Sequence, residues 1–234
     1  MTPLSIGPDS YGVYVHVPFC AARCDYCDFA TWADRAHLIE SYVDALVADL
    51  ERQAEAGVPS AATVFLGGGT PSLLDGPQLA RVLAVIPRAP GAEVTIECNP
   101  DAVDPERLAA YRAAGADRLS FGVQSMSAHV LSTLGRTHDP ANVERAVAGA
   151  RAAGFDRINL DLITGTPGET PDDWRRTLDA AIALAPEHLS VYALTVEPGT
   201  PLGRRVAGGS APDVDEAAQA DAYLVTDAVL ADAR

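Results

Sequence analysis

Cys20, Cys24 and Cys27 stand at C-x3-C-x2-C spacing directly after the apolar run from Tyr14 to Phe19. On a tight loop leaving a strand, three thiolates so spaced can each reach a separate iron of a cubane, and soft sulfur ligands suit an iron–sulfur cluster. The fourth iron is then left without a cysteine. A cluster that only transfers electrons normally takes four thiolates, whereas an open iron can chelate a substrate. Zinc and a redox pair are the competing readings. Zinc favours two C-x2-C pairs or added histidines at short spacing, and these are missing. A disulfide framework fits less well, because four cysteines in 234 residues, three of them within eight positions, is not how secreted scaffolds are stapled.

The elements that must position this loop follow a repeating pattern. Gly12 to Val17 reads as a first strand. Past the cysteines, Leu38, Ile39, Tyr42, Val43, Leu46, Val47 and Leu50 recur at the three-and-four spacing of an amphipathic helix that Gly57 ends. Further strands are predicted over Thr63–Leu66, Glu93–Glu97, Arg118–Val123, Arg157–Ile163 and His188–Leu194, with helices starting near Gly76, Asp104, Pro140, Thr170 and Pro212. Asp104-Pro105 and Thr170-Pro171 each place a capping residue before a proline at the first helical position. Six strand–helix units in a row make a curved parallel sheet the natural solution, two units short of a closed (β/α)8 barrel. The expected fold is therefore an open (β/α)6 partial barrel over residues 11–234, behind a loose lead-in at residues 1–10.

In such a barrel the chemistry belongs at the C-terminal ends of the strands, and the unusual residues gather there. Strand two ends in Gly67-Gly68-Gly69-Thr70-Pro71, strand three in Glu97-Cys98-Asn99-Pro100, strand four in Gly122-Val-Gln124-Ser125, and strand five in Asn159-Leu-Asp161 through Gly168. A glycine triplet has no Cβ to hold a ligand off, so its backbone is expected to approach a cofactor's charged end. Turn chemistry explains some of the glycines and prolines. Glu97, Gln124 and Asp161 are less easily dismissed, because polar side chains at the rim of an apolar strand need partners.

Read together, Tyr14-Val-His-Val-Pro-Phe-Cys20, Gly67-Gly-Gly-Thr-Pro-Ser72, Ser120-Phe-Gly-Val-Gln-Ser125, Leu134-Gly-Arg-Thr-His138 and Asp161-Leu-Ile-x-Gly-x-Pro-Gly168 resemble the radical S-adenosylmethionine (SAM) superfamily. Within it they resemble the branch that holds the oxygen-independent coproporphyrinogen III oxidases and the HemW haem chaperones. The resemblance implies an open (β/α)6 barrel and a [4Fe-4S] cluster on Cys20, Cys24 and Cys27, whose open iron holds the amino and carboxylate groups of SAM. It also implies that Tyr14, Gly68, Gly69, Thr70, Glu97, Gln124, Arg136 and Asp161 occupy SAM-contacting positions. Tyr26 would flank the cluster or simply pack. Arg136 would pair with a carboxylate, either SAM's or that of Asp161. His16 reads as a core histidine bonded to backbone at least as readily as a ligand, His138 as a surface histidine ahead of a haem ligand, and Cys98 as a buried thiol.

Two departures bear on the resemblance. The oxidases carry a fourth cysteine two residues after the last cluster cysteine, where this chain has Phe29. That is the pattern of the chaperones, and it counts against dehydrogenase activity while leaving SAM cleavage open. Thr164 stands where the chaperones usually have tyrosine. The implied partners are SAM, haem or a porphyrinogen, and recipient haemoproteins; the alternatives are an oxidase or a radical SAM enzyme with another substrate. Relatives also continue into a C-terminal domain over the barrel mouth, which is expected to be absent from this chain.

Composition adds exclusions. A formal charge of −15 disfavours nucleic acid and anionic membrane surfaces as electrostatic partners. Neither a run of about 18 apolar residues nor a basic-then-apolar N-terminus occurs, so no membrane span or signal peptide is expected and the cytoplasm is the expected compartment.

Overall fold

Short runs rich in Val, Ile, Leu and Phe form six strands in the computed structural model, which describes residues 11–233. They are β1 (Gly12–Val17), β2 (Ala61–Gly68), β3 (Arg88–Cys98), β4 (Arg118–Gln124), β5 (Arg157–Thr164) and β6 (His188–Ala193). Neighbouring strands are all parallel and their order in the sheet is their order in the sequence, so β1 and β6 are edges and the barrel is open. The lead-in at residues 1–10 lies outside the described residues, as does Arg234.

Parallel strands need long crossovers, and helices supply them: α1 (Ile39–Glu55), α2 (Gly76–Ala84), α3 (Pro105–Ala113), α4 (Ala128–Thr133), α5 (Pro140–Ala152) and α6 (Pro171–Ala183), followed after β6 by α7 (Pro201–Ala207) and α8 (Glu216–Asp232). Their starts are chemically marked. Asp75 caps Gln78 in a reciprocal box, Asp104 caps Arg107, and Thr170 forms a second box with Asp173. Among the described residues no helix is long and apolar enough to cross a membrane.

Period two divides the sheet into two faces. Val15, Val17, Val64, Leu66, Val94, Ile96, Leu119, Phe121, Ile158 and Leu160 point under the helices, where they meet Leu79, Leu83, Leu108, Val143 and Leu178 in one continuous core. Each such side chain contributes about 1.5–3 kcal/mol by leaving water. The alternate residues line the lumen, and the register sets Glu97 beside Ser120, Ser120 beside Asn159, and Asp161 beside Ser190.

The differences from expectation lie at the ends of elements. β3 begins at Arg88, five residues early, because Arg88 pairs with Ala61 across an irregularity that absorbs Pro90 and Gly91. The last helix begins at Glu216 and not near Pro212, since Asp215 is the residue whose carboxylate accepts from the Ala217 and Ala218 amides. The short helices α4 and α7 were not expected at all.

Candidate cofactor site

The cysteine loop leaves β1 and is closed at its base by backbone. Trp32 donates to the Pro18 carbonyl at 2.8 Å, and Cys20 donates back to Trp32 at 3.1 Å. Inside it, Cys27 N–H meets the Cys24 carbonyl at 3.3 Å. All three cysteines are free and half-buried. Burial pushes the Cys27 thiol up, and the neighbouring Cys24 and Cys20 sulfurs add to this. Among the described residues no three thiols, imidazoles or carboxylates converge on a single ion position. A cubane does not require that, because each thiolate meets its own iron. The donor set of three free thiols on one closed loop, with the Arg136 Nη1 at 3.6 Å from Cys24 Sγ as countercharge, fits such a cluster.

The glycine stretch ending β2 is packed more tightly than its sequence suggests. A Cβ on Gly69 would stand 2.6 Å from the Phe19 carbonyl and 2.8 Å from that of Val17, and one on Gly68 would meet His16 Nδ1 at 2.4 Å. Gly68 also has φ +107°, a region that favours glycine. The amides are spent internally: Gly68 donates to Glu97 Oε2 at 3.1 Å, Gly69 to Val17 at 2.8 Å and Thr70 to Phe19 at 2.7 Å. The missing side chains let β2 close onto the start of the cysteine loop, which ties the glycines to the cysteines directly.

Two carboxylates lie near each other on the lumen side of the sheet, on the strands either side of β4. Burial raises the Glu97 carboxyl to about 7, with the nearby Asp161 charge adding to the effect. Asp161 is held by Ser120 Oγ at 2.7 Å and Asn159 Nδ2 at 2.9 Å. Tyr14 bonds His16 Nδ1 at 3.1 Å, and burial followed by Glu97 raises its phenol. His16 Nε2 in turn reaches the Ala30 carbonyl at 3.0 Å, the backbone-bonded role expected of it. Gln124 adopts φ +65° at a bulge in β4. Its Nε2 and the Arg136 Nη2 crowd the space above Gly122, 2.9 and 3.4 Å from where a Cβ would be. Burial raises the Tyr26 phenol, with Cys24 next in effect. Cys98 is buried as expected.

One of the two alternatives for Arg136 is excluded, and the expectation for His138 is corrected. Arg136 forms no ion pair with Asp161; it donates to the Gly122 carbonyl and toward Cys24 Sγ, and its Nε is buried without a partner. His138 is not on the surface. It is 4% exposed, neither ring nitrogen has a partner, and burial with the nearby Arg136 charge lowers it to about 4. Sequence reasoning also missed Asp25, Arg205, Thr166 and Glu169, all brought to this end of the barrel. Polar residues in loops and short helices carry no pattern that announces which distant segment they will meet.

The chain matches the model of the radical SAM superfamily over residues 14–181. It is 46% identical over 229 residues to the heme chaperone HemW of Mycobacterium tuberculosis, covering 94% of this chain and 58% of that protein. It is 42% identical over 199 residues to the heme chaperone HemW of Escherichia coli, covering 82% and 53%. Among solved structures, coproporphyrinogen III oxidase (HemN) from Escherichia coli, a radical SAM enzyme, superposes with a TM-score of 0.86 at 28% identity over 98% of this chain and 54% of its own. The chain thus spans about half the length of the curated relatives it matches.

Proposed function

The chain belongs to the radical SAM superfamily, and from that premise we propose that residues 11–234 are the cofactor-binding core domain of a HemW-type haem chaperone. Family membership implies a [4Fe-4S] cluster and SAM. In this reading Cys20, Cys24 and Cys27 hold the cluster, and Tyr14, Gly68, Gly69, Thr70, Glu97, Gln124, Arg136 and Asp161 hold SAM, with Tyr26 at the flank. When bound, the cluster supplies an electron and an iron open to chelation.

The chain's own residues do the rest. Arg136 sets a fixed positive charge beside the Cys24 sulfur and so offsets thiolate charge. Glu97, when ionised, accepts hydrogen bonds from ribose hydroxyls, and Gln124 offers both a donor and an acceptor. Ser120 and Asn159 hold the Asp161 carboxylate in one orientation before any ligand arrives. Tyr26 and its apolar neighbours Leu134, Ile163, Leu194 and Leu202 keep water from the cluster's flank.

One observation carries the choice of chaperone over oxidase. Phe29, two residues beyond Cys27, is 62% exposed at the position where the oxidases carry their fourth cysteine. The higher identity to the chaperones than to HemN supports the same side. The test is made on anaerobically reconstituted protein with SAM and reductant, by titrating haem and, separately, by incubating with coproporphyrinogen III. Stoichiometric haem binding without decarboxylation is expected. Turnover to protoporphyrinogen without stoichiometric haem binding overturns the reading.

A further inference from the structure

The cysteine loop is gripped at its middle by a residue that the cofactor reading does not use. Asp25 lies between Cys24 and Cys27 and is bonded on three sides. Its N–H donates to the Leu134 carbonyl at 2.9 Å, and its own carbonyl accepts from the Leu202 N–H at 2.8 Å. Its carboxylate accepts from the Arg205 guanidinium. The other terminal nitrogen of Arg205 donates to the Thr133 carbonyl at 3.0 Å, so one side chain spans the loop and the end of α4. Gly135 makes room for the arrangement: a Cβ there would stand 2.8 Å from the Asp25 nitrogen and Cγ. The next residue is Arg136, whose Nη1 approaches Cys24 Sγ.

The far side of the grip is equally fixed. Thr200 caps α7 by accepting from the Gly203 amide at 3.0 Å. Gly203 is seated on the Glu197 carbonyl, where a Cβ would be 2.1 Å away. α7 therefore presents Leu202 and Arg205 to the loop from a firm base.

We propose that Asp25 and Arg205 are positioning residues, a clamp that fixes the middle of the cysteine loop between α4 and α7 and thereby sets where Cys24 and Cys27 stand relative to Arg136. The proposal rests on the cluster reading of the three cysteines. The ion pair is not strong by itself, since the Arg205 and Asp25 side chains are 38% and 27% exposed and such pairs are screened by solvent. Its effect comes from being one of several bonds that meet on a single residue between two cluster ligands. Arginine suits the task where lysine does not, because its planar fork meets two acceptors at once.

The test uses the full chain with Asp25→Asn, Arg205→Gln, Arg205→Lys and the double variant Asp25→Asn/Arg205→Gln. The first readout is hydrogen exchange of the Asp25 and Leu202 amides in metal-free protein. The second is iron release to a chelator after reconstitution, with the spectrum of the reduced cluster. Asp25→Asn and Arg205→Gln should each speed exchange of both amides and iron release, the latter by roughly tenfold, as for outer partners of metal ligands. It should also alter the spectrum. The double variant should be no faster than the worse single, and Arg205→Lys should recover part of the effect. Arg175→Gln, which removes the exposed Arg175–Asp179 pair on α6, should change none of these. Wild-type exchange rates in the variants, or effects that simply add in the double variant, overturn the clamp. Failure of the wild-type chain to take up iron defeats the cluster reading instead, and the exchange data then decide the clamp alone.

Discussion

The two ends of the barrel treat their polar groups in opposite ways. At the N-terminal floor charged groups pair with one another. Arg157 reaches Glu93 at 3.4 Å and Asp117 at 3.2 Å, Arg118 reaches Thr95 and His188 at 3.4 Å each, and Asp117 accepts from the Val94 amide at 2.6 Å. At the C-terminal rim, the described residues include buried side-chain atoms with no partner: Arg136 Nε, both ring nitrogens of His138, the hydroxyls of Thr31, Thr164 and Thr166, and Glu169 Oε1. A buried polar group left unpaired costs about 1–3 kcal/mol. A floor built to close the barrel pairs its charges among themselves, whereas a rim that receives ligands keeps polar groups in reserve. In the proposed reading the same residue types thus serve structure at one end and binding at the other.

Breaking the rim at its ligands should have the largest effect. Cys24→Ser should lower iron content after anaerobic reconstitution from about four per chain to near none, read by iron analysis. Next comes Asn159, 1% exposed, which joins Ser120, Asp161, His188 and Ser190 between floor and rim. Asn159→Ala leaves those groups short of partners, and denaturant titration should find a loss of about 2–4 kcal/mol.

Glu97 separates binding from stability. Its carboxyl sits near 7 in the folded chain, above the ordinary 4.5, so its contribution to stability is fully present below about 4.5 and is lost as pH rises through about 7. The unliganded wild type should therefore lose thermal stability over that window relative to Glu97→Gln. SAM affinity should run the other way, rising from pH 6 to pH 8 as the carboxylate ionises, while Glu97→Gln binds SAM several-fold more weakly with a flatter pH profile. Isothermal titration at three pH values checks both. The smallest effect belongs to the floor: Arg157 is half exposed, so Arg157→Ala should cost under about 1 kcal/mol and leave SAM binding as it was. A large loss of SAM affinity in that variant would erase the distinction between floor and rim.

Most of the barrel was legible in the sequence because it depends on local signals. The alternation of Val13, Val15 and Val17, and the caps at Asp104 and Thr170, are written in adjacent residues. What was not legible depends on contacts between distant segments. α7 has seven residues, two of them Pro201 and Gly203, too few to show a helical period. The partner of Arg136 could not be read, since a long side chain chooses among acceptors by tertiary position, and it found Gly122 and Cys24 where Asp161 was equally plausible. His138 looks like a loop histidine until the packing around α4 and α5 buries it. The glycine triplet was recognised by place, but the strand-on-loop packing that fills its missing side chains was not visible.

The central claim is that three cysteines hold a cluster with one iron left open to SAM. It is tested most directly by electron paramagnetic resonance of the reduced, reconstituted protein before and after SAM is added. A marked change in the signal on adding SAM is expected, because ligation at the open iron alters the cluster's electronic structure. An unchanged signal at saturating SAM would contradict it.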